Sequence, residues 1–476
     1  MNKSFLLLPV LLLGACASGP DYELPVSELP EAWGSTQEEA VDLSQWWMQF
    51  DDPKLTALIE ESLAHNNDLK VAAANVEAAA AALDLARADY LPTVNASVGG
   101  ARGSASENAA IAVPSQPSTE YNAGLVINYE LDLWGRIRRA NEAALAELRG
   151  DVAVHDGVRA LIASSVARAY FETRALDRQI ALLERLYETR EENLRLQKVR
   201  LDAGLIPPYD YEQARSETFA VAARLPALRN ARSQALTALA VLRGASPRAM
   251  FIEWTSHDAP VDVVVLPDAP VVPMDIPSDL LERRPDIRFA EQQLIAANAR
   301  IGVAKAAYFP RLSLTGFAGG VSTAFSNLFD GPSQSWQAAV GLTIPLTDIS
   351  RIGANVDAAK ARHSGAMSAY AKTVQVAFKE TLNALGNVST ARAVMQAQDE
   401  RVAALTNAYR VADARYESGR IGFLELLDVE RQLRAIEQQQ VSAKLVLLQA
   451  TVDLYRALGG GWQQATIVAE DLAARE

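Results

Sequence analysis

One supersecondary unit is written twice along these 476 residues. Asp68, in NNDLKVAAANVEAA, is matched by Asp286, in RPDIRFAEQQLIAA, 218 positions later, and Tyr90 by Tyr308 at the same distance. Arg136 (DLWGRI) is matched by Arg351 (DISRIG), Gly204 by Gly419 and Gly244 by Gly459, each pair 215 positions apart. Matched landmarks in the same order mean an internal duplication. The second copy has lost three residues between its tyrosine and its arginine, among loop-like residues where length changes are tolerated.

Each copy carries the same succession of signals. An Ala-rich helix is predicted over 68–90 and again over 286–308, closed by the proline that follows. Then come a strand, a loop rich in small and polar residues (about 100–119 and 319–334), and a second strand. Residues 136–201 and 351–416 contain no proline. In the first of these runs Val158, Ile162, Val166, Ala169, Leu176, Ile180, Leu183, Tyr187, Leu194 and Leu201 follow alternating steps of three and four, a heptad seam. Polar residues interrupt it at Thr173, Arg190 and Gln197. A helix of some 65 residues is roughly 100 Å long, and such a rod must pack laterally over its whole length. Glycine-marked turns follow, at 203–208 and 418–422, and return helices end near Gly244 and Gly459. Pro226 predicts a kink in the first return helix that the second lacks. Six prolines between 245 and 280 predict an extended connector rather than a core element.

The N-terminus reads as an export signal: Lys3, then the apolar run 5–13, then Leu13-Gly14-Ala15-Cys16. The run is too short to span a membrane as a helix. Cys16 is the only cysteine, so no internal disulfide forms. LGAC resembles a bacterial lipoprotein signal, which implies that Cys16 is the first mature residue and carries lipid; acyl chains supply about 0.8 kcal/mol per buried CH₂. Ala17, in place of an aspartate, favours the outer membrane. The net charge of −13, with no basic patch interleaved with aromatics, excludes nucleic acid as a partner. Four scattered histidines make no metal-ligand spacing, and no nucleophile elbow, P-loop or zinc-protease pattern appears. Neither an enzyme nor a cofactor is expected.

The strand candidates alternate. In EYNAGLVINYEL, Tyr121, Ala123, Leu125, Ile127, Tyr129 and Leu131 share a face; Asn122, Gly124, Asn128 and Glu130 oppose them, with Val126 the exception. In SWQAAVGLTIPL the apolar face is Trp336, Ala338, Val340, Leu342, Ile344 and Leu346. A soluble sheet with one face on a core would alternate in this way. So would a barrel with its apolar face in lipid, which also fits segments of about ten residues with interfacial aromatics. Four strands are too few to close a barrel and open edges do not sit in hydrocarbon, so the barrel reading requires several chains. Three copies would give twelve strands.

Longer stretches carry a family resemblance. WWMQFDDPKLTALIEESLAHNNDL (46–69), DIPSDLLERRPDIRFAEQQLIAANARIGVAKAAYFPRLSL (275–314), ARYESGRIGFLELLDVERQL (414–433) and LYRALGGGW (454–462) resemble the TolC-like outer membrane efflux factors, NodT-type lipoprotein branch. The resemblance covers the mature chain. It implies a mainly α fold with membrane β: a homotrimer with a twelve-stranded transmembrane β-barrel, four strands per chain, continued by a long periplasmic α-helical barrel. The expected organisation is a signal peptide (1–15), an anchor and equatorial segment (16–65), and a first repeat (66–244) with β-hairpin 92–131 and helical hairpin 136–244. The connector (245–280), a second repeat (281–460) with hairpins 310–346 and 351–459, and an equatorial tail (461–476) complete it. The implied partners are a periplasmic adaptor and an inner membrane transporter of the resistance, nodulation and division class. The tips at Gly204, Leu205, Gly419, Arg420 and Ile421 are then adaptor-contacting, and Leu424 and Asp428, braced by Arg415 and Tyr416, form the periplasmic gate. Plainer roles stand beside these: Asp428 pairing with Arg431, Arg415 complementing a helix C-terminus, the glycines ending helices. Trp46 and Trp47 read as packing anchors. The alternative duct of the same fold serves type I protein secretion, and an adaptor itself would lack paired strands and duplication.

Overall fold

A computed structural model describes residues 19–25, 43–104, 117–255, 265–272 and 283–462. Cys16, the signal segment and residues 463–476 lie outside the described residues. The chain divides into two compact units: 1–27, 75–151 and 289–371 form the first, and 28–74, 152–288 and 372–476 the second. Each unit takes corresponding parts of both copies, so the units cut across the duplication.

α1 (Pro53–His65) precedes the first copy, which contributes α2 (Asn67–Ala88), β1 (Thr93–Gly103), β2 (Ser118–Leu131), α3 (Arg136–Asp202), α4 (Pro208–Ala222) and α5 (Leu225–Leu242), and α6 (Pro247–Thr255) lies in the connector after it. The second contributes α7 (Pro285–Ala306), β3 (Arg311–Ser322), β4 (Gln334–Thr343), α8 (Ile349–Glu417) and α9 (Phe423–Ala457). The proline-free runs are single helices of 67 and 69 residues. Pro226 lies at the second position of α5, where the chain breaks between α4 and α5; α9 has no such proline and runs unbroken for 35 residues.

Three sequence expectations need correction. The connector is not merely extended: Pro247 opens α6, a position where its missing N–H costs nothing, and Val272 is buried in the second unit's core with Leu266 and Ala269 against it. The loops are also shorter than the glycines suggested. Gly100 to Gly103 remain in β1, paired with Tyr121 to Ser118. At the other end β4 stops at Thr343, so Ile344 and Leu346 fall beyond the strand.

In the first unit α3 and α7 meet through Ala143, Ala146, Ala296 and Ala299, all buried, as close helix approach demands. Residues 19–22 run against the same helices: Asn298 donates to the Pro20 carbonyl at 3.0 Å, and Arg139 pairs with Asp21 at 2.8 Å.

In the second unit Trp46, Trp47, Phe50, Leu55, Ile59, Phe171 and Tyr455 head the larger core cluster, and Ile180, Leu183, Leu186, Val221 and Leu225 form a second one. Trp46 stacks on Tyr455 at 5.4 Å and meets Trp47 and Phe50 edge-on. Burial pushes the Tyr455 hydroxyl up to about 12.

The duplication is visible in the joints. Asn66 and Arg284, at equivalent positions, donate side-chain bonds to the final carbonyls of the return helices, Leu242 O at 2.8 Å and Ala457 O at 2.9 Å. Four helices end on left-handed glycines, Gly204, Gly244 and Gly419 at φ 69° and Gly459 at φ 77°, each with the six-to-one backbone bond of a Schellman motif. These glycines differ in what surrounds them. A Cβ at Gly204 would meet nothing within 4 Å, whereas one at Gly244 would lie 2.3 Å from the His65 carbonyl oxygen. Gly204→Ala is expected to cost about 1–2 kcal/mol, the left-handed penalty alone. Gly244→Ala should cost about 2–4 kcal/mol, because overpacking against backbone adds to that penalty. Denaturant unfolding of the two variants checks the ranking.

Candidate functional site: the sheet and the helical tips

The four strands form one antiparallel sheet in the order β1-β2-β3-β4. Its register gathers the apolar residues of both copies onto one face. Val94 pairs with Ile127, Ala96 with Leu125 and Val98 with Ala123. Leu125 pairs with Ala318, Tyr129 with Leu314 and Leu131 with Leu312. Leu312 pairs with Leu342, Leu314 with Val340 and Ala318 with Trp336. The opposite face carries Thr93, Asn95, Ser97, Asn122, Asn128, Ser313, Thr315 and Gln337, with Val126, Phe317 and Val321 as the large apolar exceptions. The apolar face has no core beneath it: Val98, Trp336 and Val340 are 78%, 81% and 70% exposed in the single chain. An exposed apolar surface of this extent marks contact with lipid or protein.

Aromatic side chains flank this band. Tyr121 meets Phe325 edge-on at 5.6 Å near one end, where Trp336 and Phe329 are also exposed. At the other end Trp134 stacks on Phe309 at 4.7 Å and donates Nε1–H to the Pro310 carbonyl at 2.7 Å, tying the first copy's strand exit to the second copy's strand entry. Glu130 there takes a two-bond contact from Arg136, and Asp132 accepts the Ile137 and Arg138 amides that open α3. Tyr121 and Tyr129, eight residues apart on one face, span about 26 Å of strand, suited to a tilted transmembrane segment. Strands β1 and β4 are edges, each with one unpaired ladder side. No helix of the described residues is long and apolar enough to cross a membrane.

The helical tips belong to the second unit. Gly204, Leu205, Gly419 and Arg420 are exposed and Ile421 half-buried, with Leu205 at 75%. Their backbones are twins: Leu205 N bonds Arg200 O at 2.9 Å and Arg420 N bonds Arg415 O at 2.8 Å. Tyr416 joins the two hairpins, its hydroxyl accepting from Arg200 Nη1 at 3.0 Å, and its ring lies 6.2 Å from Phe423. Leu424 and Asp428, one helical turn apart, share an exposed face of α9. Asp428 does not pair with Arg431; it accepts from Gln432 Nε2 at 2.7 Å, while Arg431 reaches Glu217 at 4.0 Å. Arg415 is exposed and holds no ion pair among the described residues. The structure thus brings Tyr416 to its neighbours and leaves Leu424, Asp428 and Arg415 turned outward.

Sequence reasoning missed a buried ion pair behind the Asp428 face, Arg190 Nη2 to Glu430 Oε2 at 3.1 Å. Its signal was present: Thr173, Arg190 and Gln197, the seam's polar interruptions, are all buried at seam positions.

Known proteins resemble this chain along its whole length. The model of the outer membrane efflux protein family matches residues 58–245 and 276–460, one match per copy. The probable efflux pump outer membrane protein TtgC of Pseudomonas putida is 34% identical over 487 residues, covering 100% of this chain and 99% of that one. Outer membrane protein OprJ of Pseudomonas aeruginosa is 35% identical over 465 residues, covering 96% and 95%. Among solved structures, the outer-membrane channel OprN superposes with a TM-score of 0.84 at 31% identity, over 94% of this chain and 100% of that one. Duplicated in sequence, joined through one two-faced sheet and matched end to end, the chain belongs to the outer membrane efflux protein family.

Proposed function

We propose that three copies of this chain close one twelve-stranded barrel in the outer membrane and form the exit duct of a tripartite efflux pump, passing drugs and other small molecules from periplasm to exterior. The observation that carries this reading is the sheet: an apolar face without a core, between two unpaired edges. Backbone groups on an open edge cannot be left in hydrocarbon. With four alternating antiparallel strands, β4 of one copy meets β1 of the next antiparallel, so any whole number of copies closes in register of direction. Three copies give twelve strands, within the range of such barrels.

In this assembly Cys16 carries lipid in the outer membrane, and the long helices line a conduit in the periplasm. The tips at Gly204, Leu205, Gly419, Arg420 and Ile421 meet a periplasmic adaptor that links the duct to an inner membrane transporter. Leu424 and Asp428 of three chains close the periplasmic end, with Arg415 and Tyr416 bracing it. The efflux names borne by TtgC and its relatives favour this over protein secretion. Deleting the gene should lower resistance to antibiotics, dyes or solvents, and the intact gene should restore it; loss of a secreted polypeptide with unchanged resistance would refute the reading.

Replacing Leu424 and Asp428 together by alanine is expected to raise single-channel conductance in planar bilayers severalfold, while the fold tolerates the change because the pair is exposed and Asp428 bonds only Gln432, one turn along the same helix, among the described residues. Unchanged conductance would remove the gate from these residues.

A further inference from the structure

Glu430 lies two residues beyond Asp428 on α9, about 200° round the helix. It faces inward with the buried Leu426, Leu427 and Leu433, while Leu424 and Asp428 face out. Its partner Arg190 is, with Thr173 and Gln197, one of the buried polar interruptions of the mostly apolar α3 seam, and the two side chains are 4% and 9% exposed. The pair is held from several sides. Thr218 of α4 donates to the Arg190 carbonyl at 3.3 Å. Arg434, one turn along α9, brings Nε to 4.0 Å from the other Glu430 oxygen, grips both oxygens of Glu437 and lies 5.9 Å over the Tyr409 ring. Three polar atoms here have no hydrogen-bond partner: Arg190 Nε, Glu430 Oε1 and Arg434 Nε.

A buried ion pair adds little net stability over apolar residues of the same shape, yet it is strict about geometry and costly to half-remove. In a coiled seam its usual effect is to fix register and rotation. The site also has room on one side: a groove of about 680 Å³ bordered by Arg190, Glu217, Asp428, Arg431 and Arg434. Turning α9 to withdraw Asp428 must carry Glu430 away from Arg190, and the unsatisfied Oε1 already faces Arg434.

We propose that the buried Arg190–Glu430 pair is a positioning latch: it sets the rotation of α9 so that Leu424 and Asp428 stay at the gate, and transfer of Glu430 to Arg434 accompanies opening. This rests on the gate reading given above. Arg190 and Glu430 touch nothing that is transported; they act through Leu424 and Asp428.

The test uses the full-length trimer and two readouts. One is single-channel conductance, with Leu424→Ala/Asp428→Ala as the open reference. The other is thiol labelling of a cysteine introduced at Leu426, which is 8% exposed, in a chain whose sole native cysteine is Cys16. Glu430→Gln is expected to raise conductance severalfold toward the open reference and to speed labelling at least tenfold. The charge exchange Arg190→Glu/Glu430→Arg should return both readouts to the parental level. Arg190→Met/Glu430→Leu keeps the packing without the charges; it should form heat-stable trimers that still leak, which a merely stabilising pair would not produce. Parental conductance and labelling in intact Glu430→Gln trimers would overturn the proposal, as would an intact exchange variant that stays open. Absence of trimers in both Glu430→Gln and Arg190→Met/Glu430→Leu would make the pair a folding element and also overturn it. If the open reference itself conducts like the parent, the gate reading fails instead, and labelling at Leu426 alone decides the latch.

Discussion

Leu125→Arg should destabilise the membrane-inserted channel by about 2–4 kcal/mol per chain, the cost of a guanidinium near the bilayer midplane on a lipid-facing strand. Leu125 stands mid-way along β2 on the apolar face, between Ala96 and Ala318, and is 49% exposed in the single chain. About half of its surface is left uncovered by the chain, so a soluble sheet with this face to water would accept the arginine readily. The next residue provides the control. Val126 points to the opposite face between Asn95 and Phe317, and Val126→Asn should shift stability by no more than about 0.5 kcal/mol. Urea unfolding from lipid vesicles, read beside the yield of heat-modifiable oligomer, separates the two. Equal losses from both variants would mean that the sheet's two faces do not divide lipid from water.

Trp46→Ala should cost about 3–5 kcal/mol, the range for deleting a large buried aromatic. Trp46 is fully buried, stacked on Tyr455 and set edge-on against Trp47 and Phe50. The pocket has little freedom to collapse. A Cβ on Gly460 or Gly461 would already lie 3.1 Å from the indole, so the backbone beside it is packed to contact. Aromatic pairing adds about 0.5–1.5 kcal/mol to the burial of area. The loss should appear as a lower unfolding temperature and faster proteolysis in the second unit, with Trp46→Phe in between. A Trp46→Ala protein as stable as the parent would contradict the packing role of this residue.

Much of this was legible in the chain. The duplication followed from offsets of 218 and 215, and it returns as twin Schellman turns at Gly204 and Gly419 and twin joints at Asn66 and Arg284. Alternation in β2, broken at Val126, separated its two faces before any pairing was known, because a strand's period is fixed at two. Strand ends were harder to place. Glycines at 100 and 103 look like loop in one dimension and become strand only once Tyr121 and Ser118 lie opposite. Proline misled in the connector, where Pro247 begins a helix and the segment around Pro270 packs on the core. The tips were placed by glycine chemistry, but the partners were not. Asp428 prefers Gln432, and Glu430 finds Arg190 on a helix some 240 residues away, a pairing that no local spacing encodes.

Native mass spectrometry of the channel extracted from membranes in detergent tests most directly whether one chain holds a third of a barrel. Three copies, each carrying added acyl mass at its N-terminal cysteine, is the expected result. A monomer, or any number of copies other than three, would contradict it.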